Sequence, residues 1–85
     1  MTYRIVYERE AAKALAALSQ RDRRAIYVKL EQLAADPYAM SGVKRLQGSS
    51  AYRLRVGDYR VVYGLDDGQL VVVVVRVAHR REVYR

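Results

Sequence analysis

Apolar and polar residues alternate along Tyr52-Arg53-Leu54-Arg55-Val56 and again along Tyr59-Arg60-Val61-Val62-Tyr63, the period-two pattern of half-buried strands. Gly57-Asp58 lies between them, with glycine where a type II′ hairpin turn needs it. A two-residue turn fixes the register: Val56 opposite Tyr59, Arg55 opposite Arg60, Leu54 opposite Val61, Arg53 opposite Val62 and Tyr52 opposite Tyr63. One face of the hairpin is then apolar and the other carries arginines.

The remaining pattern builds around this hairpin. Tyr3 to Tyr7 alternates and predicts a first strand with Tyr3, Ile5 and Tyr7 toward the core. From Glu8 the period changes, and Ala11, Ala14, Leu15 and Leu18 form the stripe of a first helix ending near Leu18. Ser19-Gln20-Arg21-Asp22 has the spacing of a helix N-cap. A second helix follows on Ile26, Leu30 and Leu33 and stops at Asp36-Pro37. Residues 38–50 carry loop signals around Lys44, Arg45 and Leu46 and read as a link into the sheet. Asp67-Gly68 suits a type I′ turn into a last strand from Leu70 to Val77. In that register Val72 and Val74 cover the helices, while Arg76 falls on the helix side unless a bulge shifts it or it reaches the sheet edge. The fold class is α+β: a strand and a two-helix hairpin packed on a mostly antiparallel sheet of about four strands, in the order β-α-α-β-β-β.

Length allows one domain, residues 1–85, with a small core. The absence of cysteine excludes a disulfide framework and a thiolate metal site and fits a reducing cytoplasm. Met1 to Glu8 has no apolar stretch of a secretory signal, and Leu70 to Val75 is too short to span a membrane. The formal charge of +7 implies attraction to polyanions. It is not a basic tail, since residues 1–48 hold nine Lys/Arg against five Asp/Glu and residues 49–85 hold seven against four. Arg21, Arg23, Arg24 and Lys29 of the second helix fit a phosphate stripe, a solvated face or a surface for an acidic partner.

Arg55 opposite Arg60 breaks a local rule, because like charges across a ladder are destabilising by up to about 1 kcal/mol. Such conflicts mark functional sites, and a planar guanidinium suits phosphate. No acidic cluster, glycine-rich phosphate loop or Ser-His-Asp set accompanies them, and His79 is the one histidine. Phosphate chemistry that needs no cofactor or metal remains. On RNA the 2′-hydroxyl is an internal nucleophile, so a protein need supply only orientation, charge and proton transfer.

The run Tyr-Arg-Leu-Arg-Val-Gly-Asp-Tyr-Arg-Val-Val-Tyr at 52–63, followed by Val77-Ala78-His79-Arg80-Arg81-Glu82-Val83-Tyr84, closely resembles the RelE branch of the RelE/ParE toxin superfamily. The resemblance extends over nearly the whole chain. It implies a toxin of a toxin–antitoxin module, a ribosome-dependent endoribonuclease that enters the ribosomal A site and cleaves mRNA without a metal. By that resemblance Arg55, Arg60, Arg80 and Tyr84 are the catalytic set: Arg60 on the phosphate oxygens, Arg80 on the leaving 5′-oxygen, Tyr84 stacking on a base. Arg53, Lys44, Arg45, His79 and Arg81 are candidate RNA contacts. Family members carry lysine at the positions of Arg53 and Arg55, one of them a candidate general base, and guanidinium is a poor base. His79 has an intrinsic pKa suited to proton transfer, and it equally suits a phosphate contact or no role. The expected partner is an acidic, partly disordered antitoxin, with DNA reached only through an antitoxin complex. Two alternatives stay open, a ParE-like inhibitor of DNA gyrase and an inert basic domain that binds an antitoxin.

Overall fold

The computed structural model describes residues 2–83. Its elements run β1 (Arg4–Tyr7), α1 (Arg9–Ala16), α2 (Gln20–Ala35), β2 (Val43–Arg45), β3 (Tyr52–Val56), β4 (Tyr59–Asp66), β5 (Val71–His79) and α3 (Arg80–Val83). The expected strand, helix hairpin and sheet are present, and the sheet has five strands in the order β1-β5-β4-β3-β2. β1 runs parallel to β5, and the other pairings are antiparallel.

The additional strand is β2, inside the segment read as a link. Three residues flanked by glycine and serine give too short an alternation to register as a strand, yet Val43, Lys44 and Arg45 pair with Leu54, Arg53 and Tyr52. A short, charged strand is a common way to finish a sheet edge.

The helices cover one face. α1 contributes Ala11 and Leu15 and α2 contributes Ile26, Leu30 and Leu33, packed against Leu54, Val56, Val61, Tyr63, Val72, Val74 and Val77. Tyr3, just before β1, and Ile5 and Tyr7 within it flank this core, as the alternation predicts. Ser19 caps α2 by accepting from the Asp22 amide at 3.1 Å. α1 stops at Ala16, one turn-end short of Leu18, and the Arg23 guanidinium donates to the carbonyls of Leu15 (3.4 Å) and Ala16 (3.3 Å). A cation on orphan carbonyls at a helix C-terminus is stabilising. Arg23 therefore leaves the basic stripe of α2.

The β3–β4 register is the expected one, pair for pair. Gly57 has φ +58, and no non-glycine residue of that turn has positive φ, as a II′ turn requires. The next turn differs. β4 extends to Asp66 and β5 begins at Val71, so four residues connect them and the positive φ falls on Leu70 rather than on Asp67-Gly68. The reason lies in the aspartates. The Asp66 side chain accepts from the Gln69 amide at 3.1 Å, and the Asp67 carboxylate accepts from Tyr3 at 2.7 Å and Tyr38 at 2.5 Å. Asp67 thus ties the first strand and the segment after α2 to this turn.

β5 carries a second difference. Tyr63 is opposite Val74 and Val62 is opposite Arg76, so Val75 is an extra residue. The bulge brings Val77 opposite Val61 on the core side and Arg76 opposite Val62 on the other.

Two features of the packing have measurable consequences. The Tyr63 ring is fully buried and stacked on Tyr52 at 5.5 Å, but its hydroxyl has no hydrogen-bond partner, and burial foremost pushes its pKa up to about 12. An orphaned hydroxyl costs about 1–3 kcal/mol, so Tyr63→Phe is expected to raise the melting temperature by several degrees, measured by calorimetry. Hydrogen bonds first from Tyr38 and then from Tyr3 hold the Asp67 carboxyl below its ordinary 3.8. A lowered folded pKa gives stability that is present above the unfolded value and lost as pH falls through the folded one. Urea titrations should therefore show wild type more stable than a Tyr3→Phe/Tyr38→Phe variant by a constant margin above about pH 5, a margin that closes below the carboxyl's ordinary 3.8.

Candidate phosphate-binding face

Side chains alternate across the sheet, so register decides which cations meet. Leu54 and Val61 are core residues, which places their neighbours Arg53, Arg55, Arg60 and Val62 on the face away from the helices. Two rows cross that face. One runs Lys44, Arg53, Val62, Arg76 over β2, β3, β4 and β5, and the other runs Arg55, Arg60, Ala78 over β3, β4 and β5. No carboxylate stands in either row. Lys44 opposite Arg53 is a second like-charged pair beside Arg55 opposite Arg60.

Arg60 is held differently from the other cations. It is only 6% exposed, and its guanidinium turns back to donate to the carbonyls of Tyr59 at 3.1 Å and Gly57 at 3.4 Å. The alternation predicts a face that carries arginines, and it does not predict this burial. Ala78, opposite Arg60, is too small to stand in its way, and the turn offers carbonyls at the right distance. Arg60 is thus a fixed charge in the floor of the site, whereas Arg55 is exposed.

Of the other expected site residues, Arg80 starts α3 at this end of the sheet, its amide donating to the Asp58 carbonyl at 2.6 Å. Arg81 follows, exposed. Tyr84 lies outside the described residues. Two candidates lie elsewhere. Arg45 pairs with Tyr52, whose ring stacks on core Tyr63, so Arg45 belongs to the helix side of the edge strand. His79 pairs with Tyr59 and is also on the helix side. Its ring meets Tyr59 edge-on at 5.4 Å, and its Nδ1 accepts from the Arg81 amide at 3.3 Å. With Asp22, Ala25, Val56, Gly57, Asp58 and Tyr59 it lines a cleft of about 300 Å³ beside α2, where Tyr59 donates to Asp22 at 3.0 Å. The alternation within β5 carries this reversal: Ala78 faces Arg60, so His79 cannot. Conversely, Arg76 joins the basic rows through the bulge, a position that strict alternation hid.

The rows present dense positive charge on a rigid support. They suit an extended polyanion. Among the described residues no group of three or more His, Cys, Asp or Glu could hold a metal ion, and no helix is long and apolar enough to cross a membrane.

Residues 5–84 match the family model of the ParE toxin of the type II toxin–antitoxin system parDE. The chain belongs to this toxin family. Within the RelE/ParE superfamily the toxin is similar to Toxin RelG of Mycobacterium tuberculosis (strain ATCC 25618 / H37Rv), at 34% identity over 53 residues, 62% of this chain. That match spans 61% of the relative's length. Its fold is similar to that of a chain in the archaeal RelE-RelB complex from Pyrococcus horikoshii OT3, with a TM-score of 0.82, 29% identity and coverage of 94% of this chain and 97% of that one. It is also similar to a chain in the toxin–antitoxin complex RelBE2 from Mycobacterium tuberculosis, with a TM-score of 0.80, 28% identity and coverage of 94% and 100%.

Removing one of two facing charges from this ParE-family toxin should stabilise it. Arg55→Thr keeps a good strand former and ends the repulsion with Arg60, so stability should rise by up to about 1 kcal/mol in denaturant titrations at low salt. The gain should shrink as salt screens the pair.

Proposed function

We propose that this toxin is a ribosome-dependent, metal-independent mRNA endoribonuclease of the RelE kind. The observation that carries the reading is the pair of cationic rows on the face opposite α1 and α2, free of carboxylates within the rows and ending where Arg80 begins α3. A backbone phosphate laid over Arg55 meets the exposed guanidinium from one side and the fixed charge of Arg60 from below. Such preorganised charge is worth most where negative charge develops in the transition state.

In this reaction the 2′-oxygen attacks the adjacent phosphorus, the bond to the 5′-oxygen breaks, and the products are a 2′,3′-cyclic phosphate and a 5′-hydroxyl. The 2′-hydroxyl loses a proton and the leaving oxygen gains one. Arg55 and Arg60 stabilise the phosphorane oxygens, Arg80 the leaving oxygen, and Tyr84 stacks on a base to favour the in-line geometry. Arg53, Lys44 and Arg81 hold flanking phosphates. Arg45 and His79, on the helix side, stand away from the scissile bond.

The working partners are the ribosome with its mRNA, in the cytoplasm, and a cognate antitoxin. Support for the antitoxin comes from the relatives, whose structures are toxin–antitoxin complexes. An acidic, partly disordered segment complements a chain of net charge +7. DNA is reached only through that antitoxin complex. The competing reading, inhibition of DNA gyrase, draws on the ParE name of the matched family.

One experiment separates them. Primer extension on a translated message after induction should show breaks within codons, and Arg55→Ala should lower the cleavage rate about 100-fold while the protein still unfolds in one cooperative transition. Tyr84→Ala should likewise relieve the arrest. Intact ribosome-bound mRNA together with inhibited DNA supercoiling selects the gyrase reading instead.

A further inference from the structure

Strict alternation from Val72 and Val74 would put Arg76 on the helix side, against the core. The bulge at Val75 prevents this. With Tyr63 opposite Val74 and Val62 opposite Arg76, every residue after Val75 changes face relative to an unbroken strand. Val77 enters the core and Arg76 emerges, exposed, on the face of the basic rows.

There it completes a row that crosses four of the five strands: Lys44, Arg53, Val62, Arg76. At about 4.8 Å per strand the row is roughly 14 Å long, with a gap of about 10 Å between Arg53 and Arg76. The half-buried Val62 occupies that gap. No carboxylate in the row is there to pair with Arg76. A cation that the backbone departs from its ladder to deliver among like charges is best matched by an anion that lies across all of them.

We propose that Arg76 is a substrate-phosphate contact, gripping the RNA strand on the opposite side of Val62 from Arg53 and Lys44. The inference rests on the ribonuclease reading. The row flanks the Arg55–Arg60 row, so Arg53 and Arg76 hold phosphates to either side of the apolar Val62 surface, over which a sugar or base can lie. Arg76 acts in binding and takes no part in the chemical step.

The test is single-turnover cleavage of mRNA on programmed ribosomes, with the ribosome complex titrated in excess over toxin. Arg76→Ala should raise the half-saturating ribosome concentration about tenfold, as one lost phosphate contact would, and leave the saturating rate within about twofold. Arg76→Lys should restore most of the loss, and Arg76→Glu should deepen it. The melting temperature of Arg76→Ala should stay at the wild-type value, as expected for an exposed position. An unchanged half-saturation in an Arg76→Ala protein, beside a wild type that cuts, overturns the inference and leaves the ribonuclease reading standing. A loss confined to the saturating rate overturns it too, because it places Arg76 in the chemistry. Wild-type protein that cuts no ribosome-bound mRNA overturns the reading itself and the inference with it.

Discussion

The two-residue turn at Gly57-Asp58 is the constraint on which the rest depends. Its one positive φ, at Gly57, closes β3 onto β4 in a single register. One added residue would invert β4, sending Arg60 and Val62 into the core and Val61 and Tyr63 out of it. The turn also organises what surrounds it. Its carbonyls receive the Arg60 guanidinium, and the Asp58 carbonyl receives the first amide of α3. Its outer side forms one wall of the cleft beside α2. Local backbone geometry at one glycine therefore sets both the arginine face and the point from which the C-terminal cations depart.

A face built this way works against the sheet that carries it. Lys44 opposite Arg53 and Arg55 opposite Arg60 each cost up to about 1 kcal/mol. The core is large enough to bear that. Leu15, Ile26, Leu30, Leu33 and Leu54 are all fully buried, and each contributes about 1.5–3 kcal/mol relative to exposure. The repulsion is thus a small term beside the packing that opposes it. A domain this size still has a modest margin, which explains why two of its devices serve cohesion rather than chemistry: Arg23 on the end of α1, and Asp67 between Tyr3 and Tyr38.

What the sequence disclosed follows from how local each determinant is. The β3–β4 pairing, the Ser19 cap and the Ile26, Leu30, Leu33 stripe depend on neighbours within a few residues, and all are as the pattern predicts. β2 was hidden because three residues set among loop signals cannot display a period. The four-residue turn was hidden because Asp67 answers to Tyr3 and Tyr38, which are distant in sequence. The bulge at Val75 lies inside an unbroken run of valines, where every register has the same hydrophobicity and only pairing with β4 can choose. That single residue decides the sides taken by Arg76 and His79. The burial of Arg60 was equally illegible, since nothing in its own strand shows that the turn would fold back to meet it.

The position of His79 bears on the chemistry. On the ribonuclease reading, the basic rows contain lysine and arginines, and the one side chain whose ordinary pKa suits proton transfer near neutrality faces α2 on the other side of the sheet. Guanidinium holds charge well and accepts protons poorly. Catalysis by these rows is then electrostatic: they lower the cost of charge on the phosphorane and the leaving oxygen, but do not themselves generate the nucleophile. Such a device gains most when the 2′-oxygen, the phosphorus and the 5′-oxygen already lie in line, because then charge stabilisation is the remaining barrier. A free, flexible RNA satisfies that condition rarely. An mRNA held at a fixed geometry by a larger assembly satisfies it persistently. On the ribonuclease reading, dependence on the ribosome is the counterpart of an arginine-based site: the toxin would contribute the field, and the ribosome the alignment.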